Sequence, residues 1–424
     1  MNQNASLVDL VNQNMISVKA FGVGHLSTRD GRLRGTTINP HGQEVTHFGS
    51  CSYLNLELDE RLKAAAIDAV ERYGIQFSCS RAYLALHLYE ELEHLLSQVF
   101  GHPTIITPTS TLAHLANIPL LVSPSDAVVL DHQVHNSVQN AVKIAKSGGT
   151  SVEMVRHNNV EYLERRLQKL QTRHGKVWYM ADGIYSMYGD EAPIAALADL
   201  LERYPQLHLY IDDAHGMSWD GPNGAGFALG KTPMHPRMVV ATSLCKGFGA
   251  GGGATIFYDQ STADKIRNCG STHIFSSPLQ PAILNASIAS AKIHLTPEIY
   301  QLQDRLKANV AYFQQLAQVL DLPLIDLDFT PIQYVGIGRP ELALKLCQSL
   351  LERGYYTCVA GYPSVPYNNS GLRITLNQQH SREQIHGLLQ TLSTLLDEQL
   401  ATAHYNRDDI RKAFKSKQRP RALK

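Results

Sequence analysis

Lys246 stands in Thr242-Ser243-Leu244-Cys245-Lys246-Gly247-Phe248-Gly249, directly after the apolar run Met238 to Ala241. Upstream, a second apolar run, Leu207 to Ile211, ends in Asp212-Asp213-Ala214-His215. Both runs read as buried parallel strands, and polar groups at the carboxyl ends of such strands are where ligands bind in α/β sheets. A lysine there is a candidate Schiff-base former, and an aspartate beside it is a candidate partner for a pyridinium nitrogen. Together they suggest pyridoxal phosphate. Neither motif is specific alone. A lone lysine before glycines is usually a surface lysine, and Asp-Asp-x-His is more often a loop, a cap or a fragment of a metal site. Their combination at two strand ends carries the reading.

That cofactor needs five things from a protein: an amine, an acid at the ring nitrogen, a flat group on the ring, donors for a phosphate and a cation for the substrate carboxylate. Lys246 is the amine, and burial with nearby cations would favour its neutral form. Asp212 is the acid. Asp213 competes with it, because successive strand residues face opposite ways and only one can point at the ring. His215 is placed to meet the phenolic oxygen. His135, in Asp131-His132-Gln133-Val134-His135-Asn136-Ser137, could stack on the ring. Thr109, Ser110 and Thr111 lie between an expected strand (Thr104 to Thr107) and an expected helix beginning at Leu112, so they are candidate phosphate donors and equally ordinary helix caps, two roles that one geometry can serve. Ser243 is a further donor. Arg373, in Ser370-Gly371-Leu372-Arg373, can bind a carboxylate through both nitrogens.

The elements that must position these groups alternate. Strands are expected at Thr104 to Thr107, Ala127 to Leu130, Val152 to Val155, Val177 to Ala181, Leu207 to Ile211 and Ala254 to Tyr258. Helices are expected at Arg61 to Tyr73, Leu88 to Phe100, Leu112 to Leu121, Ser137 to Ala145, Val160 to Gln171 and Ile194 to Tyr204. This is the pattern of a mostly parallel sheet flanked by helices. Pro281 to Leu295 and Glu298 to Leu320 read as long helices, the second carrying the chain out of the large domain. The expected fold class is α/β, with a smaller C-terminal α+β domain. The expected organisation is an N-terminal arm (1–49), a large domain (50–295), a small domain (296–400) and a basic tail (401–424), frayed and solvated from Arg407.

Lysine plus arginine equal aspartate plus glutamate at 38 each, so nothing in the charge balance calls for nucleic acid. The six cysteines form no Cys-x-x-Cys pair, which argues against zinc and against a disulfide framework and suits a reducing cytoplasm. Met1 to Asp9 lacks the pattern of a secretion signal. No apolar run reaches the roughly 20 residues that span a bilayer. A dehydrogenase is disfavoured, because no Gly-x-Gly-x-x-Gly follows the first strand.

From about Phe48 to Leu400 the chain resembles the α-oxoamine synthases. The markers are Glu90-Glu91-Leu92-Glu93, Asp182-Gly183-Ile184-Tyr185-Ser186-Met187-Tyr188-Gly189, Asp212-Asp213-Ala214-His215-Gly216, Gly221-Pro222-Asn223-Gly224-Ala225-Gly226, Lys246-Gly247-Phe248-Gly249 and Phe275-Ser276-Ser277 before Pro281. The resemblance implies the fold type I architecture of pyridoxal phosphate transferases. It makes Lys246 the aldimine lysine, Asp212 the ring-nitrogen partner, His215 the phenolic-oxygen partner and His135 the stacking group. It puts Ser186 near the cofactor, and Ser243 with Ser110 and Thr111 at the phosphate. Ser276 and Ser277 fall where a neighbouring subunit reaches the phosphate, so a homodimer with a shared active site is implied. Arg373 falls at the carboxylate-binding arginine. The implied activity condenses a small amino acid (glycine, alanine or serine) with an acyl thioester, on CoA or a carrier protein, with loss of CO₂ to give an amino ketone.

Some segments depart from the family pattern. Cys51-Ser52-Tyr53-Leu54-Asn55 stands where relatives usually carry Asn-Asp-Tyr-Leu-Gly, and Ala82-Tyr83-Leu84-Ala85-Leu86-His87 replaces a glycine-rich turn. These segments shape the substrate channel in relatives, so an expected product is a signalling or secondary-metabolite ketone. An aminotransferase or C–C lyase on the same fold, and a non-catalytic subunit of a heteromeric synthase, are the alternatives.

Overall fold

The structure is a computed structural model that describes residues 6–40 and 42–414. Its chain forms two compact units. One comprises Leu54–Tyr185 and Glu191–Gln303, the other Met1–Tyr53, Ser186–Asp190 and Asp304–Lys424.

The first unit is built on a seven-stranded sheet. In chain order its strands are β1 (Thr104–Thr107), β2 (Ala127–Asp131), β3 (Ser151–Val155), β4 (Val177–Asp182), β5 (Leu207–Asp212), β6 (Met238–Ser243) and β7 (Gly253–Ile256), and across the sheet they run β1-β7-β6-β5-β4-β2-β3. The pairs β3/β2, β2/β4, β4/β5 and β5/β6 are parallel, whereas β7 is antiparallel to both β6 and β1. The interior strands β2, β4 and β6 bury every residue. Helices on both faces leave no wet side, which is why these strands are apolar up to their polar carboxyl ends instead of alternating. The edge strand β3 is only partly covered and carries Glu153, paired with Arg166.

The helix Ser110–Leu121 and the helix Asn136–Ser147 pack against this sheet through Ile118, Val138 and Val142, which join Val128, Met180 and Phe257 in one core. Thr109 caps the first of these helices by accepting from the N–H of Leu112 at 3.1 Å. Two further helices, Gln260–Cys269 and Ser271–Ile274, do not follow from apolar spacing. The first is set by its cap, since Asp259 accepts from Thr262 N–H at 2.8 Å.

The second unit holds an antiparallel sheet ordered Ile332–Gly338, Ser370–Thr375, Cys358–Ala360, and a small sheet of Thr37–Ile38, Val45–His47 and Tyr355–Tyr356. Helices Pro340–Glu352 and Arg382–Thr402 accompany them. Gly189 (φ +77°) packs where a Cβ would overlap Ile332 O and lie 2.9 Å from Thr330 Oγ1, so only glycine fits. The expected frayed end is corrected here. Arg407–Ala413 is a helix, capped by Asn406 and anchored by fully buried Ile410 and Phe414. Two apolar side chains in an otherwise charged stretch are enough to fix it. The remainder of the tail, 415–424, lies outside the described residues.

Candidate active site

Strands β1, β2, β4, β5 and β6 share one direction, so their carboxyl ends lie along one edge of the sheet. That edge carries Ser110 and Thr111 after β1, His135 after β2, Asp182 at the end of β4, Asp212 at the end of β5, and Ser243 and Lys246 at and after the end of β6. Asp182 and Asp212 are register partners.

Asp212 is buried, and its Oδ2 lies 2.9 Å from Nε2 of His114, which has no exposed surface. Its Oδ1 accepts from Ala214 N–H at 3.2 Å. Burial alone would raise its pKa. The interaction with His114, then Lys246 and His135, overrides burial and holds the carboxyl below the usual range. Asp182 goes the other way: burial, then the charge of Asp212, pushes it well up. Of the two neighbouring acids, Asp212 carries the charge.

Asp213 faces away from Asp212. Its Oδ2 accepts from Ala228 N–H at 2.9 Å, and burial raises its pKa well above normal. Gly183, Gly216 and Gly226 all abut its carboxyl so closely that a Cβ at any of them would overlap it.

The main chain of His135 donates to Asp182 Oδ1 at 2.9 Å. The loop bearing it is tied down by buried Asp131, which accepts from Gln133 N–H, Asn158 N–H and His157 Nδ1 at 2.8, 2.8 and 2.9 Å. The His135 ring is exposed on one side. Packing on the other lowers its pKa, with Asp212 and Lys246 pulling in opposite directions.

At the phosphate-type end, Gly253 begins β7 and pairs with Ser243 on one side and Thr107 on the other. A Cβ at Gly253 would overlap Ser110 N and sit 2.7 Å from Thr109 C. Glycine therefore lets the amino end of the Ser110–Leu121 helix close against the strand that neighbours Ser243. The first N–H groups of a helix lack intrahelical acceptors and favour an anion.

His215 is buried, and its carbonyl accepts from Trp219 Nε1 at 2.6 Å. Ser276 donates to Thr272 O at 2.7 Å, and Ser277 is exposed beside Phe275, which is 84% exposed.

Ser186 and Arg373 belong to the second unit. Arg373 is buried, its Nε donates to Ser186 O at 2.6 Å and its Nη2 to Cys51 Sγ at 3.4 Å. Among the described residues no carboxylate lies within ion-pair distance of this guanidinium. A buried cation without an anion is costly, so the arrangement suits a carboxylate that arrives with a ligand.

A model of the family described as aminotransferase class I and II matches residues 43–392. The chain belongs to the aminotransferase class I and II family. Within it, this class I and II chain is 28% identical to 8-amino-7-oxononanoate synthase of Thermoanaerobacter pseudethanolicus, over 90% of its length and 95% of the relative's. It is 30% identical to 8-amino-7-oxononanoate synthase of Dechloromonas aromatica, over 91% and 99%. Its fold matches that of serine palmitoyltransferase from S. paucimobilis with bound PLP-myriocin aldimine, at a TM-score of 0.85 and 23% identity over 93% and 98% of the two chains. Family, fold type I architecture and pyridoxal phosphate dependence agree with what the motifs imply.

The residues present fit that cofactor. The site offers a buried carboxylate kept ionised, an amine and an imidazole whose charges act on it, and a helix amino end suited to a dianion. His114 is absent from the motif reading. It sits on a mostly apolar helix, and the available signal was a second polar residue, Asn117, three positions on and on the same buried side.

Proposed function

We propose that this chain is a pyridoxal phosphate-dependent acyltransferase that joins a small amino acid to an acyl thioester with loss of CO₂, giving an α-amino ketone. The carrying observation is Asp212: a buried aspartate held ionised at the carboxyl edge, with Lys246 and His135 near enough to act on it. The relatives named 8-amino-7-oxononanoate synthase support the acyl-transfer class.

Bound pyridoxal phosphate supplies an electron sink for negative charge developing at the amino acid α-carbon. In this proposal Asp212 holds a proton on the ring nitrogen, His215 donates to the phenolic oxygen and His135 covers the ring. Ser110, Thr111 and Ser243 hold the phosphate, with Ser186 nearby. Lys246 would hold the cofactor at its carbonyl, and its free Nζ would accept the α-proton of the amino acid. Arg373 receives the substrate carboxylate.

A homodimer completes the reading. Ile75, Tyr83, Leu84 and Phe275 are 72, 88, 59 and 84% exposed. Their two segments are joined by Ser80 Oγ to Ile274 O at 2.9 Å and Gln76 Nε2 to Pro278 O at 3.3 Å. Such an apolar face suits a second copy, which would bring its own Ser276 and Ser277 to the phosphate. The free cysteines suit a reducing cytoplasm, and none of the described helices is long and apolar enough to cross a membrane. The departures at Cys51 and Ala82 to His87 favour a signalling or secondary-metabolite ketone.

Purified protein loaded with pyridoxal phosphate, given glycine, alanine or serine with a panel of acyl-CoAs, should release CoA and CO₂ in equal amounts with one pairing. Conversion of the cofactor to its pyridoxamine form with no CoA released would replace this reading with an aminotransferase.

A further inference from the structure

His114 is one link in a buried series. Asn117 Nδ2 lies 2.8 Å from Thr255 Oγ1 and 3.4 Å from Tyr210 Oη, Tyr210 Oη lies 2.8 Å from His114 Nδ1, and His114 Nε2 lies 2.9 Å from Asp212 Oδ2. His114, Asn117, Tyr210 and Asp212 are all buried.

The proton positions follow from which atoms can only give. Asn117 Nδ2 donates, so Tyr210 Oη accepts there and turns its own proton toward His114 Nδ1. A neutral imidazole that accepts at Nδ1 carries its hydrogen at Nε2, and that hydrogen meets Asp212. An imidazolium would leave the Tyr210 proton facing two donors. The neutral ring is therefore the form in which every proton has an acceptor, and each bond polarises the next in one direction, toward Asp212.

We propose that His114, backed by Tyr210, is a positioning residue: it aims Asp212 and keeps it ionised, and so sets how firmly the protein holds a proton on the ring nitrogen of pyridoxal phosphate. The inference rests on the reading of Asp212 as the ring-nitrogen partner. Lys246, His135 and Asp182 also act on Asp212.

The test compares pyridoxal phosphate with its 1-deaza analogue, in which CH replaces the ring nitrogen. The full chain, stripped of cofactor, is titrated with each. His114→Leu is expected to weaken pyridoxal phosphate binding about tenfold and the deaza analogue less than about twofold. Tyr210→Phe removes one hydroxyl, keeps the packing and should show the same pattern at about threefold; it reads the relay even if His114→Leu fails to fold. Equal weakening of both ligands, or no weakening of pyridoxal phosphate, overturns the inference. Asp212→Asn separates the two claims. If it leaves the ratio of the two affinities unchanged, the ring-nitrogen reading itself fails. If it alters the ratio and the His114 and Tyr210 variants do not, only the relay fails.

Discussion

The main-chain N–H of Ser137 points at Nδ1 of His135 from 3.3 Å, and the Ser137 hydroxyl lies 2.6 Å from the same nitrogen. A backbone N–H can only donate, so neutral His135 carries its hydrogen on Nε2, the edge turned away from its own helix. Ser137→Ala keeps the backbone donor and loses the hydroxyl. We expect kcat to fall about fivefold, the value of one ordinary hydrogen bond, with cofactor affinity nearly unchanged. Nitrogen NMR of the imidazole should show the Nε2–H form in the parent and in the variant, because the backbone donor at Nδ1 remains.

Lys246→Ala should abolish turnover, and the protein should lose the long-wavelength absorbance of a lysine-bound cofactor while still binding pyridoxal phosphate through its other contacts. Surviving turnover would contradict the proposed function.

Removing the guanidinium at Arg373 should raise KM for the amino acid by roughly 30- to 1000-fold, the loss of about 2–4 kcal/mol expected for a desolvated charge pair. Pyridoxal phosphate affinity should change little. An unchanged KM for Arg373→Ala would move the carboxylate site elsewhere.

Acid should destabilise the fold through buried histidines. Burial pushes His273 and His294 down to about 4 and His380 to about 3. An unfolded histidine takes up its proton as pH falls through about 6.5. Between that value and the depressed ones the unfolded chain binds more protons, so stability is full above pH about 6.5 and declines below it. Each group removes up to about 3 kcal/mol at the acid end of the window. Thermal melts from pH 8 to about 4 should show Tm falling only below that threshold, and His294→Gln should flatten the fall.

If Phe275 lies in a homodimer contact, Phe275→Asp should shift the sedimenting species from dimer to monomer at micromolar concentration, because burying an unpaired carboxylate is strongly unfavourable. A parent protein that sediments as a monomer would remove the shared-site proposal.

The sheet was legible because its interior strands are short and apolar until a polar carboxyl end, as in Val177–Asp182 and Met238–Ser243. The reversed direction of β7 was not, since Gly253–Ile256 is buried on both sides whichever way it runs. The lysine and aspartate announced themselves by chemistry at strand ends. His114 did not, because a single histidine among Leu112, Ala113, Leu115 and Ala116 looks like packing until its neighbour across the sheet is known. Helix Arg407–Ala413 was hidden by its charges, as its burial depends on two side chains that a composition average dilutes.

The crowding of Gly183, Gly216 and Gly226 around one carboxyl has a consequence for how this sequence can change over generations. A methyl group at any of the three positions collides with Asp213, so each substitution is barred while the aspartate stands. Shortening Asp213 first would open the space at Gly183 alone, because a Cβ at Gly216 would still meet Phe227 N at 2.6 Å and Gly226 keeps a φ of +100°, and it would strip the acceptor from Ala228 N–H. The four positions are thus coupled, and a change at one of them has to be matched by changes at the others.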